Sequence, residues 1–182
     1  MSEFNQIQLI KRRFFAMRNG IVADTIRKAG FDYRMIFGLN LPQLKDIAAE
    51  LPHTVELARE MWADKRTRES MLLAPMLYPA NELSREEAIQ WVREVPVTEI
   101  ADVVCHSLLR KHPEAWEIAM EFVSSDVDME RYMAFRLLFN LLYSRPKDIK
   151  PFAEAEYAAN SPLTRSICHA MLEEIEFLEE GV

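Results

Sequence analysis

Val97–Leu142 reads VTEIADVVCHSLLRKHPEAWEIAMEFVSSDVDMERYMAFRLLFNLL, and this stretch decides the fold. Its apolar residues follow the helical period in three consecutive segments. Asp102 lies inside the first predicted helix, at the edge of an apolar run, and Arg131 opens the third. An acidic and a basic residue near helix starts, one repeat apart, are typical of a groove that holds a catalytic site. They also suit an ordinary salt-bridge pair.

A helical repeat extends beyond this stretch in both directions. Four segments begin with a polar residue that we expect to cap a helix, and each continues as an apolar helix. Their starts are Thr67, Thr98, Glu130 and Thr164, which lie 31, 32 and 34 residues apart. A second, more amphipathic helix lies between successive starts. A helix pair repeated every 30–40 residues is typical of an α-solenoid.

We therefore predict an all-α fold, an α-solenoid of HEAT-like antiparallel helix pairs with about ten or eleven helices. A four-helix bundle explains neither that number nor the period. We expect residues 1–182 to form a single domain. The more apolar helix of each pair should line the inner layer, and the concave face should bind the partner.

Glycine and proline residues separate the other predicted helices. Between Gly30 and Pro42 we expect a loop with buried residues. The helices predicted outside the central stretch are Phe4–Arg18, Ile21–Ala29, Pro42–Leu51, His53–Trp62, Thr67–Leu77, Arg85–Glu94, Asp148–Ala159 and Thr164–Glu180. Ser84 and Glu87 should form a capping box at the start of one of them.

Composition limits the class of protein. The chain has 182 residues, 49% of them apolar, and a net charge of −7, which argues against a general nucleic-acid coat. Residues 1–35 nevertheless carry about +4 and the remainder about −11. Two distant cysteines suggest a reducing compartment, and no apolar run is long enough to span a membrane. The first residues lack the order of a signal peptide, so we expect a cytoplasmic protein without a membrane partner.

Three segments resemble the DNA alkylation-repair, AlkD-like proteins, which are built from HEAT-like helical repeats. Ile36–Ala48 (IFGLNLPQLKDIA) is similar to that family's "FG(V)…P.LR.IA" signature. Ile100–Cys105 (IADVVC) is similar to its "W…D..C" helix, which carries a catalytic aspartate. Met129–Phe135 (MERYMAF) is similar to its "(E/V)RR.A" helix, which carries an arginine. The resemblance covers most of the chain.

The resemblance implies a DNA glycosylase that excises alkylated, cationic purines from duplex DNA without a cofactor. Asp102 would be the carboxylate that stabilises the oxocarbenium-like charge or positions water, and Arg131 would contact phosphate or a carboxylate. The chain departs from the family pattern at two tryptophans. Thr98 stands where the first is expected, and the second has no counterpart because every tryptophan of this chain precedes Arg131.

Each candidate residue has a simpler interpretation. Asp102 could be a solvated residue or the partner of His106 one turn on, and Arg131 could form an inter-repeat salt bridge to Glu130 or Asp102. Six basic residues either bind the DNA backbone or form a solvated helix face: Lys11, Arg12, Arg13, Arg18, Arg27 and Lys28.

Apolar and sulfur-containing residues receive structural interpretations. Phe14 and Phe15 should belong to the core, and the three tryptophans should pack between repeats. Cys105 and Cys168 each precede a histidine, but adjacent helical residues point about 100° apart, so we expect buried cysteines and no metal site.

Three functions therefore compete: the glycosylase, a non-catalytic binder of the DNA backbone, and a solenoid whose concave face binds a protein partner. Loss of base release with DNA binding retained on substitution of Asp102 would indicate the first. A steep dependence on salt would indicate the second, and a protein partner recovered after nuclease treatment would indicate the third.

Overall fold

The computed structural model describes residues 5–181. Within that range the chain is all α-helical, with eleven α-helices and no β-strand. This confirms the predicted class and number of helices. The chain divides into two compact units, of which the first ends at Glu82 and the second begins at Leu83.

The first unit holds five helices. They are α1 (Gln6–Ala16), α2 (Gly20–Lys28), α3 (Leu41–Glu50), α4 (Val55–Ala63) and α5 (Arg68–Leu77). The predicted start of α1 at Phe4 lies outside the described residues. Helix α5 packs against α3 and α4 and buries nine of its ten residues, as expected for the more apolar helix of a pair.

The second unit holds six helices. They are α6 (Arg85–Glu94), α7 (Thr98–Ser107), α8 (Ala115–Phe122), α9 (Asp128–Leu141), α10 (Pro146–Ala159) and α11 (Arg165–Glu179). Helix α8 packs on α9 and α10 packs on α11. Helix α6 also contacts α8, while α7 contacts α9 and α9 contacts α11. Helices α6, α7 and α9 therefore each contact the equivalent helix of the next pair, which is the stacking of an α-solenoid.

The prediction that polar residues cap the four repeat starts was wrong. Thr67 and Thr164 precede their helices but make no capping hydrogen bond, and valines precede α7 and α9. These starts are buried: Thr67 and Thr164 are both fully inaccessible. Side-chain caps occur on the amphipathic helices instead, at Asn5, Asn19, Asn40, Thr54 and Ser84.

A buried carboxylate fixes the loop before α3. Glu69 is fully buried and accepts hydrogen bonds from the backbone N–H groups of Phe37, Gly38 and Leu39. Arg68 Nη1 lies 3.0 Å from Glu69 Oε1 and also donates to the carbonyl of Leu39. The charge of Glu69 is thus paired and its oxygens are hydrogen-bonded, which a buried carboxylate requires. The loop predicted to have buried residues is fastened to the start of α5.

Candidate functional site

Helices α7 and α9 bring three polar side chains together in the second unit. Tyr132 Oη donates to Asp102 Oδ1 at 2.8 Å, and Arg136 Nε lies 3.0 Å from the same oxygen. The Asp102 side chain keeps 40% of its exposure, so this carboxylate remains accessible to solvent. Both of these partners of Asp102 belong to α9, in the next repeat.

Tyr132 is the hydrogen-bond donor to Asp102 and keeps its proton. Burial raises the pKa of Tyr132, and the hydrogen bond to Asp102 and the negative charge of that carboxylate raise the pKa further. The phenol therefore stays protonated at physiological pH.

Polar residues continue along the same face of α9. Tyr132, Arg136 and Asn140 follow at intervals of four residues, which places them one above another on a helix. Asn140 Nδ2 donates to the carbonyl of Arg136, and Asn140 Oδ1 lies 3.3 Å from His106 Nδ1 on α7. The spacing of these polar residues in an apolar helix was a signal in the sequence, and the sequence analysis missed Tyr132 and Arg136 as partners of Asp102.

Arg131 lies in a different cluster. Its Nε donates to Glu156 on α10 at 2.9 Å, and Nη1 donates to the carbonyl of Ser125 at 2.7 Å. Nη2 donates to Asp128 at 2.6 Å and to Ser161 at 3.1 Å. The inter-repeat salt bridge considered for Arg131 thus exists, but with Glu156 as the acid in place of Glu130 or Asp102.

Hydrogen bonds to carboxylates stabilise the charge of Arg131 in this cluster. Burial opposes the charged form of Arg131, but the hydrogen bonds to Glu156 and Asp128 outweigh it and raise the pKa of the guanidinium. Thr164 Oγ1 also donates to Glu156. Beside this cluster lies a cavity of about 320 Å³, lined by Arg131 and Glu156 together with Ser124, Ser125, Asp126 and Phe152, among others.

Carboxylates pair with Lys11, Arg13 and Arg27 among the predicted DNA-binding residues. Lys11 pairs with Asp64 at 2.7 Å, Arg13 pairs with Glu50 through two hydrogen bonds, and Arg27 pairs with Asp24. The hydrogen bond with Glu50 raises the pKa of Arg13, and the same bond lowers the pKa of Glu50. Arg12 is exposed on α1, Arg18 just after α1 and Lys28 on α2.

Phe15 lies at the surface, where the Arg18 guanidinium stands 3.9 Å from its ring centroid. Its side chain is 56% exposed, so the prediction that Phe15 belongs to the core was wrong. The core stripe of α1 runs through Ile10 and Phe14, and the next residue points about 100° away. Phe15 helps to line a mostly apolar cavity of about 520 Å³ with Gln8, Lys11, Arg12, Met35 and Phe37.

The predicted structural roles of Cys105 and Cys168 are confirmed, since both thiols are free and fully buried. Burial raises the pKa of the Cys105 thiol, and the charge of Asp102 adds to that effect. Burial likewise raises the pKa of Cys168, to about 12. Trp62 and Trp91 are buried as expected, and Trp116 is half-buried against Phe152.

The chain was compared with known protein families. The family described as "DNA alkylation repair enzyme" matches residues 10–178. The chain belongs to this family. No curated protein matches the chain, and no solved structure does.

Family membership confirms the resemblance seen in the sequence and gives the chain a DNA alkylation-repair role, with DNA as the implied partner. The matched residues include most of each unit and all of α7 and α9. Among the described residues, no helix is long and apolar enough to cross a membrane.

Proposed function

We propose that this chain is a DNA N-glycosylase that excises alkylated, cationic purines from duplex DNA. The observation that carries the proposal is the accessible Asp102 carboxylate, held by Tyr132 and Arg136 on the neighbouring repeat. Cleavage of an N-glycosidic bond develops positive charge on the sugar. A fixed anion at that position stabilises the transition state.

The contacts of Asp102 distinguish its two oxygens. Tyr132 and Arg136 both approach Oδ1, and Oδ2 accepts no hydrogen bond from residues 5–181. Oδ2 is therefore the oxygen we assign to the developing cation or to the attacking water. Tyr132 acts as a positioning residue, because a fixed Oδ1 restricts the rotation of the carboxylate about its Cβ–Cγ bond.

Arg131 is proposed as the second residue of the site, in contact with a DNA phosphate. Its Nη2 pairs with Asp128, whose side chain is 70% exposed. A phosphate oxygen has the geometry to replace this exposed carboxylate while Glu156 and the Ser125 carbonyl hold the rest of the guanidinium.

The six basic residues of the first unit are proposed to bind the DNA backbone. Arg12, Arg18 and Lys28 are exposed, and the other three would contribute by exchanging a carboxylate for phosphate. We further propose that the two units belong to one functional domain, which is supported by a family match that includes both.

The test is base release from methylated duplex DNA by wild type, Asp102→Asn and Tyr132→Phe. Asp102→Asn keeps the shape of the side chain and removes its charge, so we expect base release to fall at least 100-fold with the Kd for DNA nearly unchanged. Tyr132→Phe should lower the single-turnover rate about 10-fold, because it removes one hydrogen bond of about 1–1.5 kcal/mol.

A no-enzyme blank and circular dichroism of each variant are the controls. Wild-type release equal to the blank overturns the glycosylase proposal. In that case retained DNA affinity supports a non-catalytic binder of the DNA backbone, and a protein partner recovered after nuclease treatment supports the protein-binding solenoid. Release by Asp102→Asn equal to wild type overturns the role of Asp102.

A further inference from the structure

We infer that Arg136 is a DNA phosphate contact, in addition to its place beside Asp102. The inference rests on the DNA substrate of the proposed function. It concerns the guanidinium that the structure places nearest to the candidate carboxylate. No resemblance to a family motif had pointed to Arg136.

The Arg136 side chain makes no hydrogen bond to the described residues. Its Nε lies 3.0 Å from Asp102 Oδ1 as an ion pair, but the N–H direction is not aligned for a hydrogen bond, and Nε has no other partner in the described residues. No hydrogen bond from Nη1 or Nη2 occurs within residues 5–181 either. Nε is buried, but the four N–H groups of Nη1 and Nη2 are available, and a new acceptor would displace none of the hydrogen bonds of this side chain.

The guanidinium of Arg136 is held at the protein surface. The Arg136 side chain is 28% exposed, so it is held by the protein and still reaches solvent. Asp102 fixes one side of it, and the ring of Phe139 lies 5.4 Å from its central carbon. A planar, preoriented guanidinium with free donors is suited to bidentate binding of a phosphate group.

Arg131 on the same helix differs from Arg136 in both respects. Arg131 already donates four hydrogen bonds, two of them to carboxylates, and its side chain is only 17% exposed. A phosphate must displace Asp128 to reach Arg131, whereas it can approach Arg136 directly. Arg136 and Asp102 are in contact. A phosphate bound by Arg136 would therefore lie next to the nucleotide that faces the Asp102 carboxylate.

The experiment measures binding to a duplex oligonucleotide that carries a tetrahydrofuran abasic-site analogue, at four or more salt concentrations. The variants are Arg136→Gln, Arg136→Lys and the control Arg93→Gln. Arg93 is an exposed arginine of α6 in the same unit, so its substitution matches the change in net charge.

We expect Arg136→Gln to weaken binding and to reduce the slope of log Kd against log salt by about one. Arg136→Lys should restore the slope because it restores the charge, and Arg93→Gln should keep the wild-type slope. An Arg136→Gln slope equal to that of wild type overturns the inference, as does wild-type binding that does not depend on salt.

This readout is independent of catalysis. A wild type that binds the duplex but releases no base overturns the glycosylase proposal, and the salt slopes still decide the role of Arg136. A thermal unfolding midpoint within about 2 °C of wild type confirms that Arg136→Gln is folded when its slope is read.

Discussion

Gly38 occupies a position at which backbone angle and space both require glycine. Its φ is +80°, and a Cβ atom there would lie 2.2 Å from the carbonyl oxygen of Asn19 and 2.9 Å from the amide nitrogen of Ala23. The loop therefore passes against the start of α2 at a distance that no side chain permits. The FG part of the family signature thus has a structural role in this chain.

Gly38→Ala and Gly30→Ala separate backbone strain from steric overlap. Gly30 has a φ of +91° but no atom within 4 Å of its would-be Cβ, so Gly30→Ala should cost about 1–2 kcal/mol of unfolding free energy. Gly38→Ala adds a clash with backbone and should cost about 1–3 kcal/mol more. Urea unfolding of both variants measures the difference, and equal losses would contradict the steric explanation.

At the scale of the helix, α9 shows what the sequence could and could not predict. Glycine and proline residues and the apolar period were sufficient to place α9 and its neighbours to within about two residues. They did not determine the rotation of α9 about its axis. Arg131 and Tyr132 point about 100° apart, so a shift of one residue decides which of them meets Asp102.

The two faces of α9 consequently carry different clusters. Arg131 faces α10 and pairs with Glu156, while Tyr132 and Arg136 face Asp102 on α7. The sequence suggested Asp102 as a candidate, but the partners of this residue depend on tertiary packing. The aromatic residues of the candidate site also differ from the family pattern, since Tyr132 contributes its hydroxyl to Asp102 rather than an open ring face.

Arg131→Ala should destabilise the second unit by about 3 kcal/mol, because it leaves Glu156 as a buried carboxylate without its cationic partner. The double variant Arg131→Ala/Glu156→Gln should recover part of that loss, since it removes the unpaired charge. Urea unfolding of the two single variants and the double variant gives the coupling energy. A double variant less stable than Arg131→Ala would contradict this account. A loss of activity in Arg131→Ala is assigned to the site only where the variant is folded under the assay conditions.

At the scale of the whole molecule, charge is divided unequally between the two units. Residues 1–82 contain 12 basic and 10 acidic residues, and residues 83–182 contain 10 basic and 19 acidic residues. The first unit is therefore net positive by two and the second net negative by nine. Duplex DNA is attracted to the first and repelled by most of the second, so the proposed backbone contacts belong chiefly to the first.

Lys28→Gln and Arg18→Gln should each reduce the salt dependence of DNA binding by about one contact, because both cations are exposed in the net positive unit. Lys147→Gln, an exposed lysine of the acidic unit, is the matched control and should leave the slope unchanged. Fluorescence anisotropy with an undamaged duplex over a range of salt measures all three. Slopes equal to wild type for Lys28→Gln and Arg18→Gln would remove the first unit from the DNA contact.

The burial of both cysteines has a consequence for the stoichiometry of repair. An alkyl group can leave DNA by transfer to a protein thiolate, and a protein that works in this way is consumed in a single event. Cys105 and Cys168 are inaccessible, and their raised pKa values keep them protonated, so neither thiol is an acceptor. Repair by this chain therefore consumes neither Cys105 nor Cys168.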